Sequence, residues 1–280
     1  LKINLIAVND GSTTELIKNK INTLNLVEIK VLQLVSNLGH QRAIAIGLVE
    51  AYSYEDTDGV VVLDCDGEDK VSDIPKLIEK TKNNSIVVAS RKSRNEGTSY
   101  KIFYKFYKLI FKTLVGKSIN FGNFCFIPKE RLAPLIFSAG IWNNLAAKII
   151  QSRLPIERIS CSRGKRYQGE SKENFASALV HGLGAMSVFL DIILARMLLI
   201  LSSFILLLFF TFILVVFIRF ASDIAIPGQA TTIVGFIFIA VIQSVLLVIV
   251  SVFLALNLRS VKNIIPAVDG QNYVIDKYIN

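Results

Sequence analysis

Asp64 and Asp66 stand one residue apart, directly after the apolar run Val60-Val61-Val62-Leu63. In extended backbone, alternate side chains point the same way, about 6–7 Å apart. Two carboxylates that close in a cleft of low polarity need a compensating charge. Mg²⁺ or Mn²⁺ supplies it, taking one or two protein carboxylates and filling its other positions with water and phosphate oxygens. The pair therefore suits chemistry at a diphosphate, where a cation neutralises charge that builds as a bond to phosphate breaks. A solvated acidic turn is the plainer reading of two such aspartates, and their place behind a buried-type strand favours the metal-binding one.

The elements that must hold this pair read as alternating strands and helices. Residues 3–8, 29–34, 60–63 and 86–89 are short apolar runs of strand type, and residues 14–24, 41–52 and 74–82 fit helices. Alternation at this spacing predicts an α/β domain with a mainly parallel sheet. The acidic positions Asp10 and 64–69 then fall in loops at the carboxyl ends of strands, where open α/β sheets bind ligands.

Further along, residues 101–115 carry Lys101, Lys105, Lys108 and Lys112 at helical spacing among aromatic and aliphatic residues. A core-facing helix with a solvated lysine face and a helix lying in a membrane interface are both consistent with this pattern. Residues 197–218 and roughly 233–256 are two long apolar runs, each sufficient to cross a bilayer as a helix. Pro227 and Gly228 mark a turn between them. Arg196, Arg259 and Lys262 flank the pair, which predicts a cytoplasmic N-terminal domain and tail by the excess of positive charge on that side. Gln243, inside the second run, is expected to make an interhelical contact.

The net charge is +9, and eight of those charges lie in residues 1–190. A basic surface beside a membrane suits anionic headgroups and phosphorylated substrates. No nucleic-acid-binding motif is present, so nucleic acid is not an expected partner. Cys65, Cys125 and Cys161 are widely spaced and carry no metal-ligand pattern, consistent with a reduced compartment.

Taken in order, Val8-Asn9-Asp10-Gly11-Ser12-Thr13, Asn37-Leu38-Gly39-His40-Gln41-Arg42-Ala43, Asp64-Cys65-Asp66, Ser90-Arg91, Asn120-Phe121-Gly122-Asn123-Phe124 and Arg166-Tyr167-Gln168-Gly169-Glu170-Ser171-Lys172 resemble the motifs of family-2 glycosyltransferases. The set is most similar to the branch that contains dolichyl-phosphate mannose synthase and bacterial polyprenyl-phosphate glucosyltransferases. The resemblance implies a GT-A-type nucleotide-sugar-binding domain over residues 1–172. An interfacial amphipathic helix over 173–195, a two-helix transmembrane hairpin over 196–258 and a cytoplasmic tail over 259–280 follow.

It also implies roles. Asp10, Ser12, Asn37, Gly39, Asp64 and Arg91 would line the donor pocket, Asp64 and Asp66 would hold Mg²⁺ or Mn²⁺, and Arg166 and Lys172 would act with Asp66 on donor or acceptor phosphates. The expected activity is hexosyl transfer, with inversion, from a nucleotide sugar to a polyprenyl phosphate. The expected location is a bacterial inner membrane, with membrane lipids and a homo-oligomer among the partners. His40 is read either as a donor-pocket residue or as a structural one, and Trp142 as a lipid-facing or a packing residue.

Three positions depart from the family pattern. The family's first strand normally precedes the segment that begins here at Leu1, so the chain is expected to start at the second strand. Glu68 stands where glutamine is common, and Asn123 where an acid is common. A sugar hydroxyl needs a general base to become a nucleophile, whereas a lipid phosphate is already anionic near neutral pH. Asn123 thus favours a lipid-phosphate acceptor over a saccharide hydroxyl. The alternatives are transfer to a hydroxyl and a non-catalytic sugar-nucleotide-binding subunit.

Overall fold

The computed structural model describes residues 3–12, 27–91, 98–167, 175–221 and 228–279. The expected helix at 14–24, the 168–172 end of the basic segment with Lys172, and most of the turn between the apolar runs lie outside the described residues. The chain divides into two units. The first comprises Leu1–Phe111, Lys117–Phe189 and Asn263–Asn280, and the second comprises Lys112–Gly116 with Leu190–Lys262.

Among the described residues the first unit carries seven strands and the helices between them. In chain order these are β1 (Ile3–Asn9), β2 (Val27–Leu34), α1 (His40–Tyr52), β3 (Gly59–Val62), α2 (Ile74–Glu79), β4 (Ile86–Arg91), α3 (Thr98–Val115, whose last turn belongs to the second unit) and β5 (Cys125–Pro128). They continue with α4 (Lys129–Ile136), α5 (Gly140–Asn143), α6 (Leu145–Gln151), β6 (Ile156–Cys161) and α7 (Phe175–Ser187). After the second unit's α8 (Leu190–Ala221) and α9 (Gln229–Ser260), the chain adds α10 (Pro266–Asp269) and β7 (Val274–Ile279).

The strands form two sheets, ordered β1-β2-β7 and β3-β5-β4-β6. β1 pairs with β2 and β4 with β6 in parallel, while β7 is antiparallel to β2, and β5 is antiparallel to both β3 and β4. The sheets are therefore mixed, not mainly parallel as the alternation suggests. The difference comes from β5 and β7. β5 is four residues long and buried on both faces, so it has no alternation to reveal it. β7 lies beyond the apolar runs, in a stretch that reads as a tail.

α1 packs on both sheets because its inner face is small. Ala43, Ala45 and Ala51 are buried, and a Cβ at Gly47 would lie 3.0 Å from Val8 Cγ2. The core beneath α1 joins Leu32 and Leu34 of β2 with Val62 of β3 and Ile86 of β4. Trp142 is 6% exposed in this core and lies 5.2 Å, centroid to centroid, from the ring of Tyr273. It is a packing residue, and the lipid-facing alternative does not hold.

The second unit is a pair of 32-residue helices, α8 and α9, each with a mean hydropathy of 3.0 over its most apolar window. At 1.5 Å per residue each is about 48 Å long, more than the roughly 30 Å hydrocarbon core. Both are long and apolar enough to cross a membrane. Arg259 lies 3.4 Å from Asp191, linking the end of α9 to the start of α8. Arg196 donates to the Thr113 carbonyl at the end of α3 (3.0 Å), where a cation is also favoured by the helix dipole. Gln243 is exposed on this hairpin, and it is the neighbouring Ser244 that is buried. One residue of helical rotation, about 100°, separates the two.

Candidate active site

The first layer of the site is built where β1 and β2 end side by side. Asn9 turns the chain by accepting from the Ser12 amide (3.0 Å) and donates to Gln33 (2.6 Å). Asp10 reaches into the loop before α1, where its two carboxylate oxygens accept from the amides of Leu38 (2.6 Å) and Gly39 (2.9 Å). An acid bonded to amides beside a helix start is favoured by the helix dipole. Asp10 therefore shapes the 36–39 loop with both of its carboxylate oxygens.

Gly11 has φ +65°, and a Cβ there would lie 2.4 Å from the Asn37 backbone nitrogen. Backbone cannot yield as a side chain can, so Gly11→Ala is expected to lower stability by about 1–3 kcal/mol. Thermal unfolding of the two proteins side by side reads this out. Gly39, also with positive φ (99°), precedes the first residue of α1. Ser12 and Asn37 lie in these same two loops. Arg91 ends β4, where its backbone registers with Cys161 of β6.

The second layer follows β3. The Asp64 amide donates to Asp69 (3.0 Å), a buried acid that closes the loop. Asp66 accepts from the Glu68 amide (2.9 Å) and from Arg166 (2.9 Å). Arg166 also lies 3.3 Å from Glu68, and Arg163 forms a second ion pair with the same glutamate. Main-chain bonds fasten the two segments: Gly164 donates to the Glu68 carbonyl (2.8 Å) and Tyr167 to the Asp66 carbonyl (2.9 Å). A Cβ on Gly164 would fall 2.2 Å from the Gly67 carbonyl oxygen, so this close approach requires glycine.

The third layer links the first two. The Leu145 amide donates to Gln41 (2.8 Å), Gln41 donates to Asn123 (3.1 Å), and the Asn123 amide nitrogen lies 2.8 Å from His40 Nε2. That same His40 nitrogen is 3.3 Å from Asp64. The Leu145 amide fixes which way Gln41 and then Asn123 point, so a neutral His40 accepts from Asn123. A protonated His40 donates to Asp64 instead. The hydrogen bond to Asp64 raises the His40 pKa above its ordinary 6.5, outweighing burial, with further help from the charges of Asp64, Asp10 and Asp66.

Several of the predicted residues thus form one chain of contacts. Asp10 holds Gly39, the adjacent His40 meets Asp64, and Asp66 meets Arg166. Lys172 lies outside the described residues. Glu68, Arg163, Gln41 and Asp69 join the site without having been singled out for it. Arg163 lies three residues before the basic segment that begins at Arg166, and Glu68 was visible only as a departure from the family pattern.

The aspartates already have positive or polarisable partners here, Arg166 for Asp66 and His40 for Asp64. Among the described residues no group of three or more His, Cys, Asp or Glu side chains converges as a metal cage. One or two carboxylates completed by water and ligand phosphates is nevertheless the ordinary donor set for Mg²⁺. The donor chemistry of Asp64 and Asp66 fits a hard cation whose remaining positions come from a phosphorylated ligand.

A comparison with curated proteins finds no match. Residues 1–133 match the family model described as Glycosyl transferase family 2, and the matched stretch carries the loops with Asp10, Gly39, Asp64 and Asp66.

Proposed function

We propose that the protein is a membrane-anchored, inverting glycosyltransferase that moves a hexosyl group from a nucleotide sugar to a polyprenyl phosphate. The observation that carries this reading is the pairing of the Asp64/Asp66 loop with Arg166 and Arg163 in the matched domain's neighbourhood, in a chain with two helices apolar enough to span a bilayer. A divalent cation held by Asp64 and Asp66 would neutralise the donor diphosphate as it leaves.

The chain's own residues do the rest. Asp10 and Gly39 shape the loop that lines the donor pocket, with Ser12, Asn37 and Arg91 as further pocket residues. Arg166, with Lys172, holds phosphate. Asn123 is an amide bonded to Gln41 and His40, so it removes no proton. An anionic lipid phosphate needs none removed, which favours that acceptor over a saccharide hydroxyl.

The anchor contributes by keeping the site where the lipid acceptor is concentrated. The pairing of β7 with β2 supports a hairpin whose two ends lie on one side of the membrane. Arg196, Arg259 and Lys262 favour the cytoplasmic side, that of a bacterial inner membrane.

The test is a screen of nucleotide sugars against polyprenyl phosphate with Mg²⁺ or Mn²⁺, using the full chain in detergent or membranes. Formation of a sugar-linked lipid phosphate is the expected result. Transfer to soluble saccharide hydroxyls but not to the lipid would overturn the acceptor assignment. Binding of nucleotide sugars with no transfer to any acceptor would favour a non-catalytic subunit.

A further inference from the structure

We propose that Glu68 is a holding carboxylate for Arg163 and Arg166, which keeps both guanidinium groups from a diphosphate until a divalent cation enters with it. The proposal deepens the functional reading above and rests on the 64–69 loop being the donor site.

Glu68 is well placed for this. Its side chain is 13% exposed, against 39% for Arg163 and 26% for Arg166. The acid sits inside and the two cations cover it. Arg166 divides itself between Glu68 and Asp66. The backbone bonds from Gly164 and Tyr167 hold the 162–167 segment against the acidic loop without help from any side chain. Lys70 adds a bond to Ser162 (2.9 Å). Breaking the ion pairs therefore need not move the segment, and the guanidinium groups remain at the site when released.

The charge balance explains why a cation should matter. Asp66 and Glu68 carry two negative charges, and Arg163 and Arg166 carry two positive ones, so the four groups cancel. These four groups by themselves therefore offer an approaching diphosphate no net attraction. A divalent cation taking Asp66 removes one of the carboxylate partners that Arg166 has among the described residues and leaves these four groups with a net positive charge. Guanidinium forks bind carboxylate and phosphate in the same bidentate fashion, so the arginines can exchange one for the other without changing their geometry. Glutamine at position 68 would hold neither arginine by charge. The acid makes diphosphate binding in this protein more dependent on the cation.

Inorganic pyrophosphate is the probe, because it requires no knowledge of the nucleotide. It is titrated calorimetrically into the detergent-solubilised full chain, first in EDTA and then with Mg²⁺. Glu68→Gln is expected to tighten metal-free binding about tenfold, the worth of one charge-assisted hydrogen bond, and to shrink the gain that Mg²⁺ confers. Arg163→Gln, which leaves the acid in place, is expected to weaken Mg²⁺-dependent binding several-fold. Metal-free affinity in Glu68→Gln that equals or falls below that of the parent would overturn the proposal. So would an Arg163→Gln protein that binds as the parent does with Mg²⁺. If the parent binds pyrophosphate with Mg²⁺ and Glu68→Gln shows no gain without it, the holding role fails and the donor site stands. If the parent binds neither pyrophosphate nor any nucleoside diphosphate with Mg²⁺, the donor-site reading and the proposal fall together.

Discussion

Asp66→Asn is expected to lower sugar transfer by at least about 100-fold while leaving the thermal unfolding midpoint close to that of the parent. The substitution is chosen because it separates charge from loop geometry. Asp66 Oδ1 accepts from the Glu68 amide at 2.9 Å, and an asparagine carbonyl can make the same bond. The main-chain contact from Tyr167 to the Asp66 carbonyl is untouched. Arg166 keeps Glu68 as a partner. What disappears is the anionic oxygen, and with it the charge that would hold a divalent cation against the departing diphosphate. Transition-state charge stabilisation of this kind is worth several kcal/mol, and each 1.4 kcal/mol is tenfold in rate.

Asp64→Asn is the informative companion. The Asp64 backbone bond to Asp69 survives, but His40 loses the acceptor that raises its pKa. Its loss of activity is expected to be smaller if Asp66 is the main metal-holding group. Transfer measured across a Mn²⁺ and Mg²⁺ titration distinguishes the two positions. An Asp66→Asn protein that works at the parent rate once the cation is saturating would mean that the carboxylate does not hold the metal.

The parts of this site that were legible in the sequence are those whose signal is local. Val60 to Leu63 ends at two acids, and Ile3 to Val8 ends at Asn9-Asp10-Gly11, so strand, loop and chemistry follow one another along the chain. The 3.6-residue pattern of α1 and the apolar length of α8 and α9 are equally local. What was not legible is set by contacts between distant residues. Glu68 and Arg163 are 95 positions apart, and nothing in either neighbourhood shows that they meet. Asp10 was visible as a polar residue at a strand end. Only the fold shows that both of its oxygens accept from the 36–39 loop, 28 and 29 residues on.

The C-terminal strand is the largest feature hidden in this way, and it leads to the second large effect. Deleting residues 263–280 is expected to unfold the first unit, although these residues follow the apolar hairpin and read in the sequence as part of a tail. β7 forms a five-position antiparallel ladder with β2, from Lys30 opposite Ile279 to Leu34 opposite Val274. The Val35 amide donates to Tyr273 (3.0 Å). Ile264, Ala267, Tyr273 and Val274 pack on the core that contains α1 and Trp142. Ile264, Tyr273 and Val274 are partly buried, so each contributes a part of the roughly 1.5–3 kcal/mol that complete burial of a large apolar side chain is worth, and removing them with the strand opens the core beneath. The total approaches the whole stability of an ordinary domain, about 5–15 kcal/mol.

Glu50 on α1 adds an ionic clasp to this strand and gives the prediction a pH signature. Its side chain is 4% exposed and paired with Lys30 of β2 and with Lys277 of β7, the latter at 2.7 Å. Burial alone would raise its pKa above the ordinary 4.5, but the hydrogen bonds from Lys277 and Lys30 outweigh burial, and the net shift is downward. A carboxyl whose folded pKa is depressed contributes stability that is present above its unfolded pKa and is lost as pH falls through the folded one. The clasp is therefore fully formed near neutrality and weakens below about pH 4.5. Lys277→Ala is expected to lower the unfolding midpoint at pH 7 and to narrow the difference between pH 7 and pH 4, because Glu50 then loses one of its two ion pairs among the described residues and keeps the one to Lys30. Deletion of 263–280 goes further and should yield a protein sensitive to limited proteolysis throughout β1, β2 and α1 at any pH. A truncated protein that kept protease resistance in those elements, with an unchanged unfolding midpoint, would mean that the first unit closes its core without the strand supplied from beyond the hairpin.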